Sequence, residues 1–245
     1  MLWNASCTTK IFEGSSATEK MKYTYLLIDL ASFILPFLFS FHKKIRFDRK
    51  WLPYIKANIL MAVVFIVWDI LFTEKGVWGF NEAHLTGVTF FNLPIEEVLF
   101  FFAIPYACTF MYHCFNIFQG KRGLGKMGKW LVAGLATLLL ITGIINLDQI
   151  YTSVTFIVTS AYLFYLVFLE KKQYAGSFLL NFLLVLIPFA IVNGILTGSF
   201  IENEIVWYNN AENLSIRIGT IPIEDSMYAL LMLGMLVSLM EFFDD

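Results

Sequence analysis

Charged residues are scarce in this chain, and so are the residue types that build the commoner metal and redox sites. Lys, Arg, Asp and Glu together make up 15% of the 245 residues, and there are only three cysteines and three histidines. Cys7, Cys108 and Cys114 are odd in number and match neither a disulfide framework nor a metal motif. The histidines lack metal-ligand spacing, so we expect packing or surface roles for them and no metal site.

Nucleotide-binding motifs are also missing from the sequence. The one glycine-rich stretch, GKRGLG at residues 120–125, has the wrong spacing for a dinucleotide fingerprint and follows no predicted strand. It is typical of a hydrated loop. We therefore expect no flavin or nicotinamide cofactor, and the net charge of −2 gives no reason to expect a nucleic acid partner.

Apolar residues are abundant instead. They make up 58% of the chain, with 26 Phe, 11 Tyr and 6 Trp, which is more than the core of a soluble domain requires. Seven apolar stretches approach the roughly 20 residues that a helix needs to cross a hydrocarbon layer of about 30 Å. They cover residues 23–41, 52–72, 93–118, 127–147, 150–169, 178–197 and 221–243. The sequence predicts an all-α integral membrane protein with seven transmembrane helices.

The orientation of these helices follows from the basic residues of the connecting segments, because Lys and Arg resist translocation. The segments after the first, third and fifth helices contain eleven of them: Lys43, Lys44, Arg46, Arg49, Lys50, Lys121, Arg122, Lys126, Lys129, Lys171 and Lys172. The opposite segments offer only Lys75 and Arg217. We predict an external N-terminus and a cytoplasmic C-terminus in the cell (inner) membrane.

A four-residue motif occurs twice, as Pro-Ile-Glu-Glu at residues 94–97 and as Pro-Ile-Glu-Asp at residues 222–225, with an offset of 128 residues. Tyr23-Thr24 and Tyr151-Thr152 are related by the same offset. The offset predicts two parallel three-helix repeats joined by a connecting helix. We divide the chain into a polar tail at 1–20, a first repeat at 21–118, a linker with the connecting helix at 119–149, and a second repeat at 150–245.

The acids of this motif are candidate catalytic residues: Glu96, Glu97, Glu224 and Asp225. Proline in a first helical turn, with acids that complement the helix dipole, would explain one copy as a cap. Two copies, each at the start of a bilayer-crossing helix, favour a function, because carboxyl groups are costly to bury in a membrane. Adjacent helical residues point about 100° apart, so one acid of each pair is expected to face the site.

Further polar and aromatic residues are predicted to lie at the same outer level as the acids. Asp29 and Asp69 either form ion pairs with Lys75 or Arg217 or belong to the site. Trp68, Trp78 and Trp207 belong either to an interfacial aromatic belt or to a substrate contact. The sequence leaves both alternatives open.

The two motifs, the Trp68-Asp69 stretch that leads to VWGFN at residues 77–81, and the three-plus-three helices together resemble the small membrane lycopene cyclases in their fused form. The resemblance extends from residue 21 to residue 243. The second motif has Asp225 where the first has Glu97, so the two halves are not expected to be equivalent.

The resemblance implies conversion of the linear ψ ends of lycopene to β rings by proton addition, ring closure and proton loss, without net redox change and without a cofactor. A buried neutral carboxylic acid would protonate the alkene, and aromatic faces would stabilise the resulting cation. The implied substrate-binding residues are Asp69, Trp78, Phe100, Phe101, Trp207 and Tyr228. The implied partners are a hydrophobic carotenoid, the lipid bilayer and other carotenoid enzymes.

Two other classes of seven-helix protein are alternatives to a cyclase. A retinal-binding proton pump needs a lysine in a helix, usually the last, and residues 221–243 contain none. A small-solute transporter fits the repeats but would hold its acids at mid-depth rather than at one end of the helices.

Overall fold

The computed structural model describes residues 22–119, 125–169 and 175–244. The predicted polar tail at 1–20, Cys7 and the basic residues Lys121, Arg122, Lys171 and Lys172 lie outside the described residues. The described chain is dominated by helices, as its apolar composition predicts.

Seven long helices are present in the described ranges, one for each predicted transmembrane segment. They are α1 Thr24–Phe39, α2 Trp51–Glu74, α3 Ile95–Gln119, α4 Gly125–Ile145, α5 Ile150–Phe164, α6 Ala175–Leu196 and α7 Ile223–Asp244. Six segments are long and apolar enough to cross a membrane. The exception is α1, whose 16 residues span only about 24 Å, less than the hydrocarbon thickness.

Six short strands, which the all-α prediction did not include, lie in the segments between α2 and α3 and between α6 and α7. They are β1 Trp78–Phe80, β2 Thr89–Phe90, β3 Leu93–Pro94, β4 Val206–Tyr208, β5 Arg217–Ile218 and β6 Ile221–Pro222. All three strand pairs are antiparallel. Strands of two or three residues carry too little periodicity to be recognised in a sequence.

Strands β1 and β4 come from opposite halves of the chain and pair with each other, and we call this pair the inter-repeat ribbon. Gly79 lies opposite Trp207 at its centre, with Trp78 opposite Tyr208 on one side. Backbone hydrogen bonds extend the pairing at both ends, from Asn81 N to Ile205 O at 2.8 Å and from Asn209 N to Val77 O at 2.9 Å. The ribbon therefore joins the two halves of the chain through the segments that precede α3 and α7.

The other two strand pairs are hairpins with the same register. Thr89 pairs with Pro94 in one, and Arg217 pairs with Pro222, 128 residues later, in the other. Each hairpin leads directly into a helix whose first turn holds an acid pair. Proline suits the last position before each helix because it has no N–H to leave unpaired.

The helices of the two halves interlock. Helix α3 packs along α1 and α2, and α7 packs along α5. Contacts of α2 with α7 and of α3 with α6 hold the halves together. The connecting helix α4 lies along α5 and α6 of the second half. The acid-bearing helices α3 and α7 are therefore central.

One carbonyl oxygen in α3, which a proline leaves without its usual backbone donor, accepts a hydrogen bond from a side chain instead. Pro105 has no backbone N–H, so it cannot bond to the carbonyl of Phe101 one turn earlier. The side chain of Asn58 on α2 donates from Nδ2 to this carbonyl oxygen at 3.3 Å. Asn58 is buried, so the bond also ties α2 to α3 inside the protein.

Candidate active site

The four acids of the duplicated motif are buried, with exposed fractions of 8% or less. Glu96 and Glu97 begin α3, and Glu224 and Asp225 begin α7. Buried carboxyl groups need hydrogen-bond partners, and the two members of each pair have different ones. The partners divide the acids into two kinds.

The first member of each pair is bonded to the loop that precedes its helix. Glu96 Oε1 accepts a hydrogen bond from Thr86 N at 2.6 Å, and Glu224 Oε1 accepts one from Leu214 N at 2.8 Å. The Thr152 hydroxyl also donates to Glu224 Oε1, at 2.7 Å. Neither glutamate lines the cavity described next.

The second member of each pair lines a common cavity. Glu97 and Asp225 face it from α3 and α7, and Asp69 faces it from α2. Its open volume is about 50 Å³. The aromatic part of its wall consists of Tyr25, Trp78, Phe80, Phe100, Tyr151, Phe189, Tyr208 and Tyr228. We call this cavity, with its three carboxyl groups and its aromatic wall, the acid chamber.

On the side of the first half, two carboxyl groups face each other in the acid chamber. The carboxyl groups of Glu97 and Asp69 lie within hydrogen-bonding reach of each other. The Tyr25 hydroxyl donates to Glu97 Oε2 at 2.6 Å, and the Tyr228 hydroxyl donates to Asp69 Oδ1 at 3.4 Å. No N–H or hydroxyl donor of the described residues reaches Asp69 Oδ2.

On the side of the second half, Asp225 accepts three hydrogen bonds. The Tyr151 hydroxyl donates to its Oδ1 at 2.5 Å, while Asn193 Nδ2 and the Tyr208 hydroxyl donate to its Oδ2 at 2.7 and 2.9 Å. Burial, together with the nearby Asp225 carboxyl, raises the pKa of Tyr208 well above its ordinary value. The Tyr208 hydroxyl therefore stays protonated and remains a donor.

The rings of the aromatic wall pack closely against one another beside the carboxyl groups of the acid chamber. The ring centroid of Trp78 lies 5.1 Å from that of Tyr151 and 6.4 Å from that of Tyr228. Tyr151 and Tyr208 are stacked at 5.9 Å. Such rings can stabilise a positive charge through their π faces while excluding water.

Several predicted site residues line the acid chamber, and others do not. Asp69, Trp78, Phe100 and Tyr228 are part of its wall together with Glu97 and Asp225. Phe101 lies behind the wall, with its ring centroid 5.7 Å from that of Phe100.

Trp207 is 40% exposed and covers Gly79 on the inter-repeat ribbon, away from the acid chamber. Trp78 and Trp207 lie on paired strands of the ribbon, one position apart in register. Trp78 belongs to the wall of the acid chamber, and Trp207 does not.

The ion-pair alternative for Asp29 and Asp69 is wrong. The ion pairs among the described residues are Arg46–Asp48 and Lys50–Asp244. Arg217 instead donates to Thr220 O and to Asn210 Oδ1. Asp69 lies in the acid chamber, whereas the Asp29 carboxyl is buried and accepts no hydrogen bond from a described residue.

Glu97 and Asp225 are held by tyrosines that are not among the predicted site residues. The 128-residue offset matches Tyr151 to Tyr23. The hydrogen bonds instead make Tyr25 the counterpart of Tyr151, because each donates to the second acid of its motif, and Tyr23 is 48% exposed. Tyr208 directly follows Trp207 in the sequence, and only Trp207 of the two is a predicted site residue. The sequence signal for these tyrosines was their position, because Tyr25 lies two residues after Tyr23 and Tyr208 lies one residue after Trp207.

The described residues contain no cluster of three or more His, Cys, Asp or Glu side chains arranged to hold a metal ion. The acid chamber therefore presents carboxyl, hydroxyl and amide groups together with aromatic rings. This set of groups can exchange protons and stabilise charge next to buried carboxyl groups.

Comparison with known proteins identifies the family. The family model described as lycopene cyclase matches the chain twice, at residues 22–115 and 148–243, which together make up more than half of it. No curated protein and no solved structure gives a significant match. The two matched segments contain the two acid motifs and every residue named above as part of the acid chamber. The chain therefore belongs to the lycopene cyclase family.

Proposed function

We propose that this protein is a lycopene β-cyclase, which converts the linear ψ ends of lycopene to β-ionone rings without net redox change. The observation that carries the proposal is that Glu97, Asp69 and Asp225 share one buried chamber with an aromatic wall. Family membership supports carotenoid cyclisation and favours it over proton conduction or solute transport. The β-ring product and the residue roles are part of the proposal.

The reaction begins with proton transfer to carbon. A carboxylic acid of the chamber gives its proton to the terminal alkene of a ψ end, so that an O–H bond breaks, a C–H bond forms and a tertiary carbocation results. The next double bond attacks this cation and closes a six-membered ring. A carboxylate then removes a ring proton, and the electron pair of that C–H bond becomes the ring double bond. Proton addition and loss cancel, so no cofactor is required by the balance.

The chamber is suited to this chemistry because an alkene is a very weak base. The cation must be stabilised as it forms, and fixed negative charge and π faces supply that stabilisation. A desolvated aromatic face contributes about 2 kcal/mol. Trp78 and Tyr228 are placed for this role next to the chamber carboxyls. The aromatic rings of the wall also limit the access of water to the cation.

We assign the reacting groups to the second member of each motif. Glu97 and Asp225 face the acid chamber, whereas Glu96 and Glu224 are bonded to loop backbone and face away from it. Asp69, Trp78, Phe100 and Tyr228 form the surrounding wall. The predicted contributions of Phe101 and Trp207 to substrate binding are indirect, since one packs behind the wall and the other holds the inter-repeat ribbon.

The test is expression in cells that accumulate lycopene, followed by chromatography of the extracted pigments. We expect β-carotene from the wild type and a fall in ring formation of about 100-fold or more for Glu97→Gln and for Asp225→Asn, which is the range for loss of a general acid or base. Glu96→Gln and Glu224→Gln are matched controls, and most of the ring formation should persist in both. Recovery of only linear pigment from the wild type would contradict the proposal.

A further inference from the structure

The two sides of the acid chamber differ in how their carboxyl groups are bonded, and this difference suggests a direction for the proton. Resting on the proposed function, we propose that the Asp69–Glu97 pair delivers the proton to the substrate and that Asp225 is the carboxylate that removes one from the ring. The two halves of the chain would then have fixed and unequal roles within one site.

The first side is built to hold a proton. Asp69 and Glu97 face each other within hydrogen-bonding reach, and a direct bond between two carboxyl groups requires a proton on one of them. Donors are few on this side. Among the described donors, Tyr25 donates to Glu97 at 2.6 Å, and Tyr228 donates to Asp69 over a long 3.4 Å. No Lys or Arg of the described residues forms an ion pair with either of them.

The second side is built to hold a carboxylate. Asp225 accepts three bonds from Tyr151, Asn193 and Tyr208, all between 2.5 and 2.9 Å. Such donors stabilise an ionised carboxylate in place of water. Its neighbour Glu224 is bonded to Leu214 N and Thr152, so no second carboxyl faces Asp225 as Asp69 faces Glu97. Asn193 supplies a neutral amide on this side of the chamber.

The count of buried acids in the two halves is also unequal. Among the described residues, helices α1 to α3 bury four carboxyl groups, those of Asp29, Asp69, Glu96 and Glu97, whereas helices α5 to α7 bury two. The Asp29 carboxyl accepts no hydrogen bond from a described residue. No Lys or Arg of the described residues forms an ion pair with any of the four, so negative charge on all of them would be mutually repulsive.

The proton balance closes across the chamber. One ring moves a proton from the Asp69–Glu97 pair to the substrate, and a different proton from the ring to Asp225. The Tyr208 and Tyr228 hydroxyls donate to Asp225 and to Asp69 respectively, and both tyrosines line the same cavity. The proton on Asp225 must return to the Asp69–Glu97 pair before the next ring is formed.

Deuterium incorporation distinguishes the two roles. Purified wild type, Glu97→Gln and Asp225→Asn are incubated with lycopene in D2O buffer, and the products and the remaining lycopene are examined by mass spectrometry. Both variants should lose ring formation by about 100-fold or more. Lycopene recovered from Asp225→Asn should contain deuterium, because protonation still occurs there and reverses. Lycopene recovered from Glu97→Gln should contain none.

A milder pair of variants covers the case in which a carboxyl variant fails to fold. Tyr151→Phe and Tyr25→Phe each remove one hydroxyl donor, from Asp225 and from Glu97 respectively. We expect Tyr151→Phe to increase the deuterium in recovered lycopene relative to the wild type, and Tyr25→Phe to leave it no higher. Asp225→Glu should restore part of the ring formation that Asp225→Asn loses.

The opposite labelling pattern, with deuterium in lycopene from Glu97→Gln or Tyr25→Phe but not from the Asp225 or Tyr151 variants, would overturn the assignment. Equal labelling, or none, in both members of each pair would also overturn it, because the two sides would then not differ in role. These outcomes leave the proposed function intact as long as the wild type forms rings. A wild type that forms no rings would instead remove the proposed function itself.

Discussion

Glu96 and Glu224, which are 128 residues apart, hold equivalent loops by the same hydrogen bond. Each accepts from a backbone N–H ten residues earlier, Thr86 N for Glu96 and Leu214 N for Glu224. Each also begins a helix, where a carboxylate complements the positive end of the helix dipole. The duplicated motif thus combines one acid that fixes the loop with a second acid that faces the chamber.

Replacement of these loop-holding glutamates should affect stability more than chemistry. Glu96→Gln keeps an oxygen that accepts the Thr86 N–H, so its ring formation should stay within a few-fold of the wild type. Glu96→Ala leaves that N–H unpaired and should lower the free energy of unfolding by about 1–3 kcal/mol. Thermal unfolding in detergent, measured beside pigment formation, checks both. A loss of ring formation in Glu96→Gln equal to that in Glu97→Gln would contradict the assignment.

The contribution of the Asn58–Phe101 hydrogen bond to stability should depend on Pro105. Asn58→Ala removes the donor of this carbonyl and should destabilise the protein by about 0.6–2 kcal/mol, the range for hydrogen bonds between membrane helices. Pro105→Ala supplies a backbone N–H to the same carbonyl, so the cost of Asn58→Ala should shrink in that background. A double-mutant cycle of unfolding midpoints measures the coupling. Equal costs of Asn58→Ala in both backgrounds would rule it out.

Gly79 should be required for the inter-repeat ribbon because of Trp207. A Cβ at Gly79 would lie 2.3 Å from Cζ2 of Trp207, so that the indole ring would have to leave. Gly79→Val should lower ring formation several-fold, since the ribbon carries the wall residues Trp78 and Tyr208.

The combination of Gly79→Val with Trp207→Ala should recover much of this loss in the pigment assay. Gly134→Ala on α4 is the control, because a Cβ at that position meets no atom within 4 Å. No recovery in the double variant would show that the backbone of Gly79, and not the contact with Trp207, is limiting.

The hydrogen bond from Tyr208 to Asp225 should persist at alkaline pH. The pKa of Tyr208 is raised above its ordinary value, which is near 10, so the hydroxyl stays protonated in the folded protein. Any stability from the bond is present below the unfolded pKa and is lost only as the pH rises through the folded value. The ratio of wild-type to Tyr208→Phe ring formation should therefore be constant between about pH 9 and 11. A ratio that falls toward 1 over this range would indicate that Tyr208 ionises.

The sequence by itself determined the membrane class, the number and position of the long helices, the duplication and the four motif acids. These features depend on local composition and on a fixed offset in the sequence. Both are evident without knowing which residues are in contact. The apolar stretches at residues 52–72 and 127–147 contain Lys56 and Gly134, and both form helices of spanning length. Helix length follows from the apolar run as a whole, so single residues of this kind do not interrupt it.

Only the tertiary structure decided which acid of each pair faces the chamber, that Asp69 joins Glu97 there, and that Tyr25 rather than Tyr23 is the counterpart of Tyr151. It also placed Trp78 in the wall and its near neighbour in space, Trp207, outside it. The physical reason is geometric. A rotation of 100° per residue sends neighbouring side chains to different surroundings, and those surroundings come from helices and strands up to more than one hundred residues away in the chain.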